Sequence, residues 1–315
     1  MNISKAFYLY GIVNQYDIID QPDSQSVLEE LKRHEQIRLM PIQELAALVS
    51  EVSLEEFGEE ALKNRLKDAK WLEYRLRHHE WVVEAFMRGG TVIPMKFATI
   101  FNTEERLTER LLGLYETLRE LMGKLQGKEE WGVKAFCDLR YIQATVETEH
   151  ERTKQLKAQL AGQPPGTAYL MRKQREELIT RQTDQLLSRH LESIYQRLAS
   201  LAHEAKLNLL TLHELIGRKH EMVPPPAAGL KGPALRAELP SAAAAGGGMV
   251  LNAALLVEKS HVSRVVEEVQ SLRQDYAPHG FEFESVGPFP PYNFSRLPDY
   301  AKEEEAGKPQ GTAHE

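Results

Sequence analysis

The feature that most constrains this chain is a run of apolar residues spaced alternately four and three positions apart between residues 187 and 215. Such intervals follow a heptad, and we predict one long helix from about Thr167 toward Ile216 that holds them in a single seam. The seam would be roughly 43 Å long at 1.5 Å per residue. It has one polar member, Asn208. The apolar members are Leu187, Leu191, Ile194, Leu198, Leu201, Ala205, Leu212 and Leu215.

Two kinds of partner are open for this helical seam. A second helix, predicted over residues 141–161, is joined to the first by the turn GQPPG, so the two can fold into a helical hairpin within one chain. The alternative is an intermolecular coiled coil with a second copy of the chain. The short turn favours the hairpin and, with it, a monomer.

Predicted strands accompany these helices in the second half of the chain. WGVKAFCDL at 131–139 is predicted to be a strand whose side chains alternate between two faces, which places Val133, Ala135 and Cys137 on one face. MVLNAALLV is typical of a buried strand, and an amphipathic helix and a last strand, FEFES, follow it. Together with the earlier strand, these are the elements of a split βαβ, ferredoxin-like sheet.

The first part of the chain has the same mixture of elements. KAFYLYGIV at 5–13 predicts a buried strand, and residues 36–52 predict either two strands or a strand and a brief helix. KDAKWLEYRLRHHEWVVEAFMR predicts an amphipathic helix that ends at two glycines, 89 and 90. Pro94 interrupts the β-rich run that follows. Asn102 or Thr103 is predicted to cap the next helix.

These elements predict an α+β protein of two domains. We place the first domain over residues 1–126 and the second over 127–221 with 249–297, where a small sheet accompanies the long, coiled-coil-like helical hairpin. Residues 222–248 are rich in Pro, Ala and Gly and are predicted to be a flexible linker. They do not suit a phosphate-binding loop, because their glycines precede a strand instead of opening a helix. The polar tail, 298–315, is predicted to be disordered.

Charge and cysteine content narrow the class of function. A net charge of −7 disfavours a general nucleic-acid binder. The single cysteine, Cys137, excludes an internal disulfide and fits a reducing compartment. No apolar stretch is long enough for a transmembrane helix, and the N-terminus has no signal-peptide cleavage site. The sequence therefore predicts a soluble, cytoplasmic protein with neither a nucleic acid nor a membrane as partner.

Titratable residues form no recognisable catalytic or metal-binding pattern. His-Glu pairs recur along the chain, but none has a second His four residues after the first, as a zinc-binding helix requires. His78 and His79 are adjacent on a predicted helix, and we interpret them as part of a solvated face. Cys137 alternates with apolar residues and is interpreted as a buried structural cysteine. We therefore expect no catalytic residue, no cofactor and no metal.

The segment VGPFPPYNF, residues 286–294, follows the last predicted strand and is called the strap below. Because proline fixes φ and lacks an N–H, we expect the sheet ladder to stop at Pro288 and the chain to continue in an extended, polyproline-like path. We predict a rigid segment that closes the second domain or presents a partner-binding surface. Its candidate residues are Pro288, Phe289, Pro290, Pro291, Tyr292 and Phe294.

Six stretches, in order along the chain, resemble the gas vesicle accessory protein family known as F/L. They are YLYGIV at 8–13, HHEWVVEAF with TVIPMKFATIF at 78–101, GKEEWGVKAFCD at 127–138, GTAYLMRKQ at 166–174, MVLNAALLV at 249–257 and VGPFPPYNF at 286–294. The resemblance implies a ferredoxin-like N-terminal domain and a C-terminal domain that combines a small sheet with long helices. It also implies a non-enzymatic role in gas vesicle assembly, through contacts with the small hydrophobic shell protein and other accessory proteins. A minor place in the shell itself is part of that expectation.

The chain departs from the family pattern at three positions. Phe289 stands where the family usually has Trp, Lys96 where it has Arg, and Ala98 where it has Gly. Phe289 can pack but cannot donate an indole hydrogen bond. Lys96 lacks the bidentate fork with which Arg holds a carboxylate.

Two other functions stay open on the sequence alone. One is a small-molecule enzyme or sensor on a ferredoxin-like sheet, a fold that hosts many chemistries, with His78, His79 and Cys137 as its reactive groups. The other is a generic coiled-coil scaffold that dimerises through residues 187–215. A ligand that raises the melting temperature would favour the first, and a dimer would favour the second.

Overall fold

The structure is a computed structural model, and it describes residues 5–19, 29, 37–208 and 247–297. The chain forms two compact units. The first unit comprises residues 1–126 and 290–315, and the second comprises residues 127–289. The polypeptide therefore leaves the first unit, completes the second, and returns to the first after Phe289.

An antiparallel sheet forms the centre of the first unit. Its main strands are β1 (Lys5–Asn14), β2 (Arg38–Ile42), β3 (Leu45–Ser53) and β4 (Val92–Pro94), in the order β2-β3-β1-β4. A short β5 (Ile100–Phe101) pairs with the first half of β1. Because β1 is rich in aromatic and β-branched residues and buries almost its whole length, it occupies an interior position in the sheet.

The helices of the first unit begin and end where capping residues predict. Asp68 accepts hydrogen bonds from the backbone N–H groups of Lys70 and Trp71 and so starts the longest of them. Thr103 accepts from the N–H of Arg106 and starts the next. The described helices are α1 (Gln15–Ile19), α2 (Leu54–Phe57), α3 (Glu59–Arg65), α4 (Ala69–Gly89), α5 (Glu104–Gly113) and α6 (Tyr115–Leu125).

The second unit repeats the strand order of the first. Its antiparallel sheet contains β6 (Lys128–Cys137), β7 (Glu204–Leu207), β8 (Gly248–Glu258) and β9 (Phe281–Phe289), in the order β7-β8-β6-β9. Counted from the first strand of each unit, both sheets have the order 2-3-1-4. The described α-helices of this unit are α7 (Leu139–Glu149), α8 (Glu151–Gln159), α9 (Pro165–Ala199) and α10 (Val262–Tyr276). The predicted α+β class, with two sheets and one long helix, is confirmed.

The predicted helical seam is shorter than the heptad pattern indicated. Helix α9 ends at Ala199, and the chain then joins the sheet, where the N–H of His203 donates to the carbonyl of Leu256 and β7 pairs with β8. Pairing with β8 gives this backbone its hydrogen bonds, so the local helical pattern is overridden. Leu201, Ala205 and Asn208 therefore lie beyond the helix, and Leu212 and Leu215 lie outside the described residues.

The part of the seam that exists packs inside its own unit. Ile194 and Leu198 are fully buried in the core of the second unit, and the side chains of Leu187 and Leu191 pack against that core. This packing within one chain agrees with the hairpin interpretation, and it leaves Ile194 and Leu198 no surface for a second copy.

The last strand also differs from the prediction. β9 runs through Pro288 to Phe289, which pairs with Glu130 across an irregularity in the ladder. A proline is tolerated here because β9 is an edge strand and its outer N–H groups need no ladder partner. The preceding Gly287–Pro288 bond is cis, and a Cβ on Gly287 would lie 2.7 Å from the ring of Trp131, so only glycine fits beneath that indole. The predicted linker (except Gly247 and Gly248) and the predicted tail lie outside the described residues.

Candidate functional site

The first unit buries a cluster of polar aromatic side chains between β1 and α4. Tyr8 and Tyr10 alternate along β1 on the face that α4 covers, and His79 of α4 lies against both rings at centroid distances of 5.7 and 5.6 Å. His79 is only 2% exposed, so its interpretation as part of a solvated face is wrong. The angle of 100° between adjacent helical residues turns one histidine into the core and leaves His78 half-buried at its border.

A chain of hydrogen bonds passes through His79. Its Nε2 lies 3.0 Å from the carbonyl oxygen of Met95, and its Nδ1 lies 3.0 Å from the hydroxyl of Tyr8. Because a carbonyl only accepts, Nε2 must bear the proton, and Nδ1 then accepts from the Tyr8 hydroxyl. The Tyr8 oxygen in turn accepts from the backbone N–H of Ala98 at 2.9 Å.

Burial fixes the protonation state of this chain. Desolvation is the main cause that lowers the pKa of His79 to about 4, although the hydrogen bond to Met95 opposes it. Desolvation also raises the pKa of Tyr8 well above its ordinary value. Both side chains are therefore neutral at physiological pH, and every proton in the chain has a defined position.

The residue that donates to Tyr8 has an unusual backbone conformation. Ala98 has φ of +60°, in the left-handed region that glycine adopts without cost. The resemblance described above implies Gly at this position. The turn conformation thus gives a physical reason for glycine there, and the alanine of this chain adopts it under strain.

A cavity of about 220 Å³ opens beside the buried cluster, within the first unit. Ser50 of β3 lies at its wall and shares a hydrogen bond of 3.2 Å with Tyr10, whose hydroxyl is also 3.4 Å from Nε2 of His78. Arg75 of α4 also lines the cavity and forms an ion pair of 2.7 Å with Glu56. The cavity is therefore lined by hydroxyl, imidazole and paired charged groups.

The Glu56–Arg75 pair is itself held by aromatic residues. The indole N–H of Trp71 donates to Glu56 at 2.7 Å, and the guanidinium of Arg75 lies over the ring of Phe57 at 5.2 Å. Burial alone would raise the pKa of Glu56, but the hydrogen bonds from Trp71 and Arg75 outweigh it and the pKa is lowered. The carboxylate therefore stays ionised and keeps the N-terminal part of α4 against α2.

Helix α4 also presents aromatic side chains to solvent. Tyr74 is 61% exposed and Trp81 is 36% exposed. Residues seven apart on a helix share a face, and His78 lies between them with its ring 6.0 Å from that of Trp81. Tyr74, His78 and Trp81 are called the α4 aromatic face below. The spacing of residues 74, 78 and 81 is typical of one helix face. The charged residues between them made this aromatic face hard to recognise in the sequence.

The strap is divided between the two units. Pro288 and Phe289 belong to β9 of the second unit, and Phe289 is only half-buried. Pro290, Pro291 and Phe294 are buried, and they belong to the first unit, where Nζ of Lys124 lies 3.4 Å from the Phe294 carbonyl. Residues 290–294 therefore do not close the second domain, and the alternative role of the strap, a partner-binding surface, stays a prediction. The second half of the strap is part of the core of the first unit.

Tyr292 is the member of the buried half that faces solvent. It is 36% exposed, and its ring stacks on His79 with centroids 6.5 Å apart. Desolvation, and then the charges of Glu80 and Glu84, raise its pKa. Desolvation raises the pKa of both carboxyls as well. Tyr292 therefore extends the exposed surface of α4 on its acidic side.

The remaining sequence candidates do not join this site. Cys137 is 2% exposed in the second unit, and desolvation raises the pKa of its thiol to about 12, which makes it a poor nucleophile. Within the described residues, no group of three or more His, Cys, Asp or Glu side chains is arranged to hold a metal ion. No described helix is long and apolar enough to cross a membrane.

Comparison with known proteins gives a consistent result. The family model for gas vesicle synthesis protein GvpL/GvpF matches residues 6–296. Over 310 residues, the chain is 24% identical to gas vesicle protein L of Streptomyces sp. (strain CB03234), covering 98% of this chain and 100% of that protein. A stretch of 74 residues is 39% identical to gas vesicle protein F of Microcystis aeruginosa (strain PCC 7806), covering 22% of this chain and 30% of the other.

The fold is also similar to solved structures. The crystal structure of gas vesicle protein GvpF from Anabaena sp. PCC7120 superposes with a TM-score of 0.59 at 22% identity, covering 94% of this chain and 100% of the other. The crystal structure of GvpF from Microcystis aeruginosa gives 0.54 at 19% identity, covering 93% and 99%. At these identities the likeness concerns the fold.

Proposed function

The chain belongs to the gas vesicle synthesis protein GvpL/GvpF family, and we propose that it binds the small hydrophobic shell protein during gas vesicle assembly, without a catalytic step. The family indicates a gas vesicle accessory role. In the proposed function the protein works in the cytoplasm, keeps an aggregation-prone shell protein soluble, and delivers it to the growing vesicle or to other accessory proteins.

The main support is the α4 aromatic face. Tyr, Trp and Arg are the residues that dominate binding energy at protein interfaces, and Arg75 lies 5.6 Å from the ring of Tyr74. Exposed aromatic area on a rigid helix suits an apolar partner, because little conformational entropy is lost when these side chains are covered. The buried residues of the strap hold Tyr292 against the same helix, which widens the surface.

The test is co-purification of this chain with the shell protein after co-expression. We expect the unmodified chain to keep the shell protein in the soluble fraction. A Tyr74→Ala/Trp81→Ala variant should retain about a tenth of that shell protein or less, since interface aromatics commonly contribute 2 kcal/mol or more. A chain ending before Val286 is unsuitable, because it lacks part of β9 and the buried Phe294.

The matched control is Tyr16→Ala/Leu112→Ala. These two side chains are 60% and 47% exposed on other helices of the same unit. If this control and the α4 variant capture equal amounts of shell protein while both stay folded by circular dichroism, the α4 aromatic face is not the binding surface. If the unmodified chain captures none, the shell-protein proposal fails and the other accessory proteins become the partners to test.

The cavity beside Tyr10 supports a second candidate, a small-molecule sensor. Its hydroxyl and imidazole lining suits a small polar ligand. A metabolite screen for compounds that raise the melting temperature tests it, with Ser50→Ala as the matched variant. A compound whose effect is lost in that variant would support the sensor. A screen without any shift, or shifts equal in both proteins, would contradict it.

A further inference from the structure

The end of the helical hairpin in the second unit is basic, although the whole chain is acidic. Residues 152–175 contain six Lys or Arg residues and no Asp or Glu, in a chain with a net charge of −7. The six are Arg152, Lys154, Lys157, Arg172, Lys173 and Arg175. We call residues 152–175 the hairpin tip.

The fold brings these cations to one end of the hairpin. The first three lie on α8 and the others on the first turns of α9, and the two helices pack together across the turn at residues 160–164. All but Arg175 are exposed. Charges that are separated by the loop in sequence are therefore gathered at one surface.

Only some of this charge is neutralised locally. Lys154 pairs with Glu151 at 3.0 Å, and Arg175 pairs with Glu147 at 2.9 Å. In the part of the chain that the structure describes, Lys157, Arg172 and Lys173 have no carboxylate within ion-pair distance. The excess of positive charge is confined to residues 152–175, because Glu151 precedes this range and Glu176 and Glu177 follow it.

Two large apolar side chains are exposed among these cations. Tyr169 and Leu170 are 64% and 65% exposed. Tyr169 shares a helix face with Arg172 and Lys173, three and four residues further on. The buried residues of α9 begin only at Ile179, so the core of the unit does not use this end of the helix.

We propose that the hairpin tip binds an acidic segment of a partner protein, with Tyr169 and Leu170 as apolar anchors and the three uncompensated cations as the charged contacts. Opposite charge and an aromatic anchor surrounded by cations together specify such a segment. A duplex nucleic acid suits the site less well. Binding a duplex commonly neutralises about six to ten phosphates, and the hairpin tip offers only the three uncompensated cations. This inference does not depend on binding of the shell protein, which we assign to the first unit.

The test uses the purified full-length chain and a soluble fluorescent peptide rich in Glu with one Leu and one Phe. The same peptide with Lys in place of Glu, vesicles of phosphatidylglycerol and a short DNA duplex serve as comparison probes. We expect the Glu peptide to bind, the Lys peptide not to bind, and added salt to weaken the complex. Lys157→Gln/Arg172→Gln/Lys173→Gln and Tyr169→Ala/Leu170→Ala should each weaken binding by about tenfold or more.

The matched control is Lys67→Gln/Lys70→Gln/Arg88→Gln, which removes three exposed cations from the first unit and gives the same net charge. It should leave the affinity for the Glu peptide unchanged. An equal loss in this control would show that binding reflects net charge alone. No binding of the Glu peptide, or tighter binding of the vesicles or the duplex with the same dependence on the tip residues, would overturn the proposal.

Discussion

The two units have the same strand order but different interiors. In the second unit, the core cluster between sheet and helices consists of aliphatic and aromatic residues with one cysteine and one tyrosine. In the first unit, the corresponding space holds Tyr8 and His79 in a hydrogen-bonded chain, and the hydroxyl of Tyr10 beside them bonds to Ser50 and His78. Since the same topology folds around an apolar core in the second unit, this fold does not require the hydrogen-bonded chain found in the first unit.

This difference indicates which unit is specialised. Buried polar groups cost free energy unless each is satisfied, and a satisfied network defines one arrangement of side chains. In the first unit, that arrangement fixes α4, the helix that presents Tyr74 and Trp81 to solvent. A binding surface benefits from rigidity, so the hydrogen-bonded chain supports the proposed function by holding the α4 aromatic face in place.

The largest effect that separates the units should come from Phe294→Ala. Phe294 is 1% exposed in the first unit, and we expect its loss to lower the free energy of unfolding of that unit by about 3–5 kcal/mol. Urea denaturation in a Trp131→Phe background measures this, because Trp71 and Trp81 then report only on the first unit.

Tyr292→Ala is the matched control for Phe294→Ala. Its side chain comes from the same segment but is 36% exposed, and we expect a loss of less than about 1 kcal/mol. Equal losses in the two variants would mean that the strap does not contribute to the core of the first unit. A reciprocal background, Trp71→Phe/Trp81→Phe, follows the second unit through Trp131, and the same loss there would show that the units unfold together.

The second prediction uses pH to distinguish the units. The folded-state pKa of His79 is about 4, below its ordinary value of 6.5, so the unfolded chain binds a proton first as the pH falls between these values. Stability from the neutral histidine is present above pH 6.5 and is lost as the pH falls toward 4. The loss is on the order of 3 kcal/mol. Denaturation at a series of pH values, followed through Trp71 and Trp81, measures it.

His79→Gln serves as the reference for this pH profile. The amide can donate to Met95 and accept from Tyr8, but it does not titrate. We expect a smaller loss of stability between pH 6.5 and 4 in this variant, and the difference between the two profiles isolates His79 from Glu80 and Glu84. Parallel profiles would show that His79 does not titrate differently in the folded and unfolded chain.

The sequence predicts the elements better than it predicts their environments. The periodicity of α4 and the alternation of β6 are local, and the structure has both elements close to where the sequence placed them. The end of α9 is not local: residues 204–207 leave the helical pattern because β8 offers them a ladder. The helical periodicity of α9 does not reveal that residues 204–207 pair with β8.

The candidate site was harder to predict for a similar reason. Of two adjacent histidines, only the packing of α4 on β1 decides which is buried, and sequence spacing gives no sign of it. The prolines predict the strap as one continuous segment. The chain passes from the second compact unit to the first in the middle of this segment, after Phe289. Burial of Phe294 then depends on residues more than a hundred positions away, such as Lys124.

The third prediction compares two buried tyrosines. Tyr8→Phe removes a hydroxyl that donates to His79 and accepts from the N–H of Ala98. Because both groups are left unpaired, we expect a loss of about 1–3 kcal/mol in the free energy of unfolding of the first unit. Tyr276→Phe is the counterpart in the second unit. Within the described residues its hydroxyl has no hydrogen bond, and we expect a change within about 0.5 kcal/mol. Equal losses would remove the distinction between the two interiors.

The smallest effect concerns backbone strain, and it should have opposite signs in the two units. Ala98 has φ of +60° in the first unit, and Gly280 has φ of +79° in the second. Ala98→Gly relieves about 1–2 kcal/mol of left-handed strain but adds freedom to the unfolded chain, so we expect a net gain of about 0.5–1 kcal/mol. Gly280→Ala should destabilise the second unit, because its Cβ would also lie 2.9 Å from the carbonyl of Asp138. Thermal unfolding of both variants checks the signs. A loss of stability in Ala98→Gly would mean that the methyl group contributes packing that outweighs the strain, and glycine would then have no stability advantage at that turn.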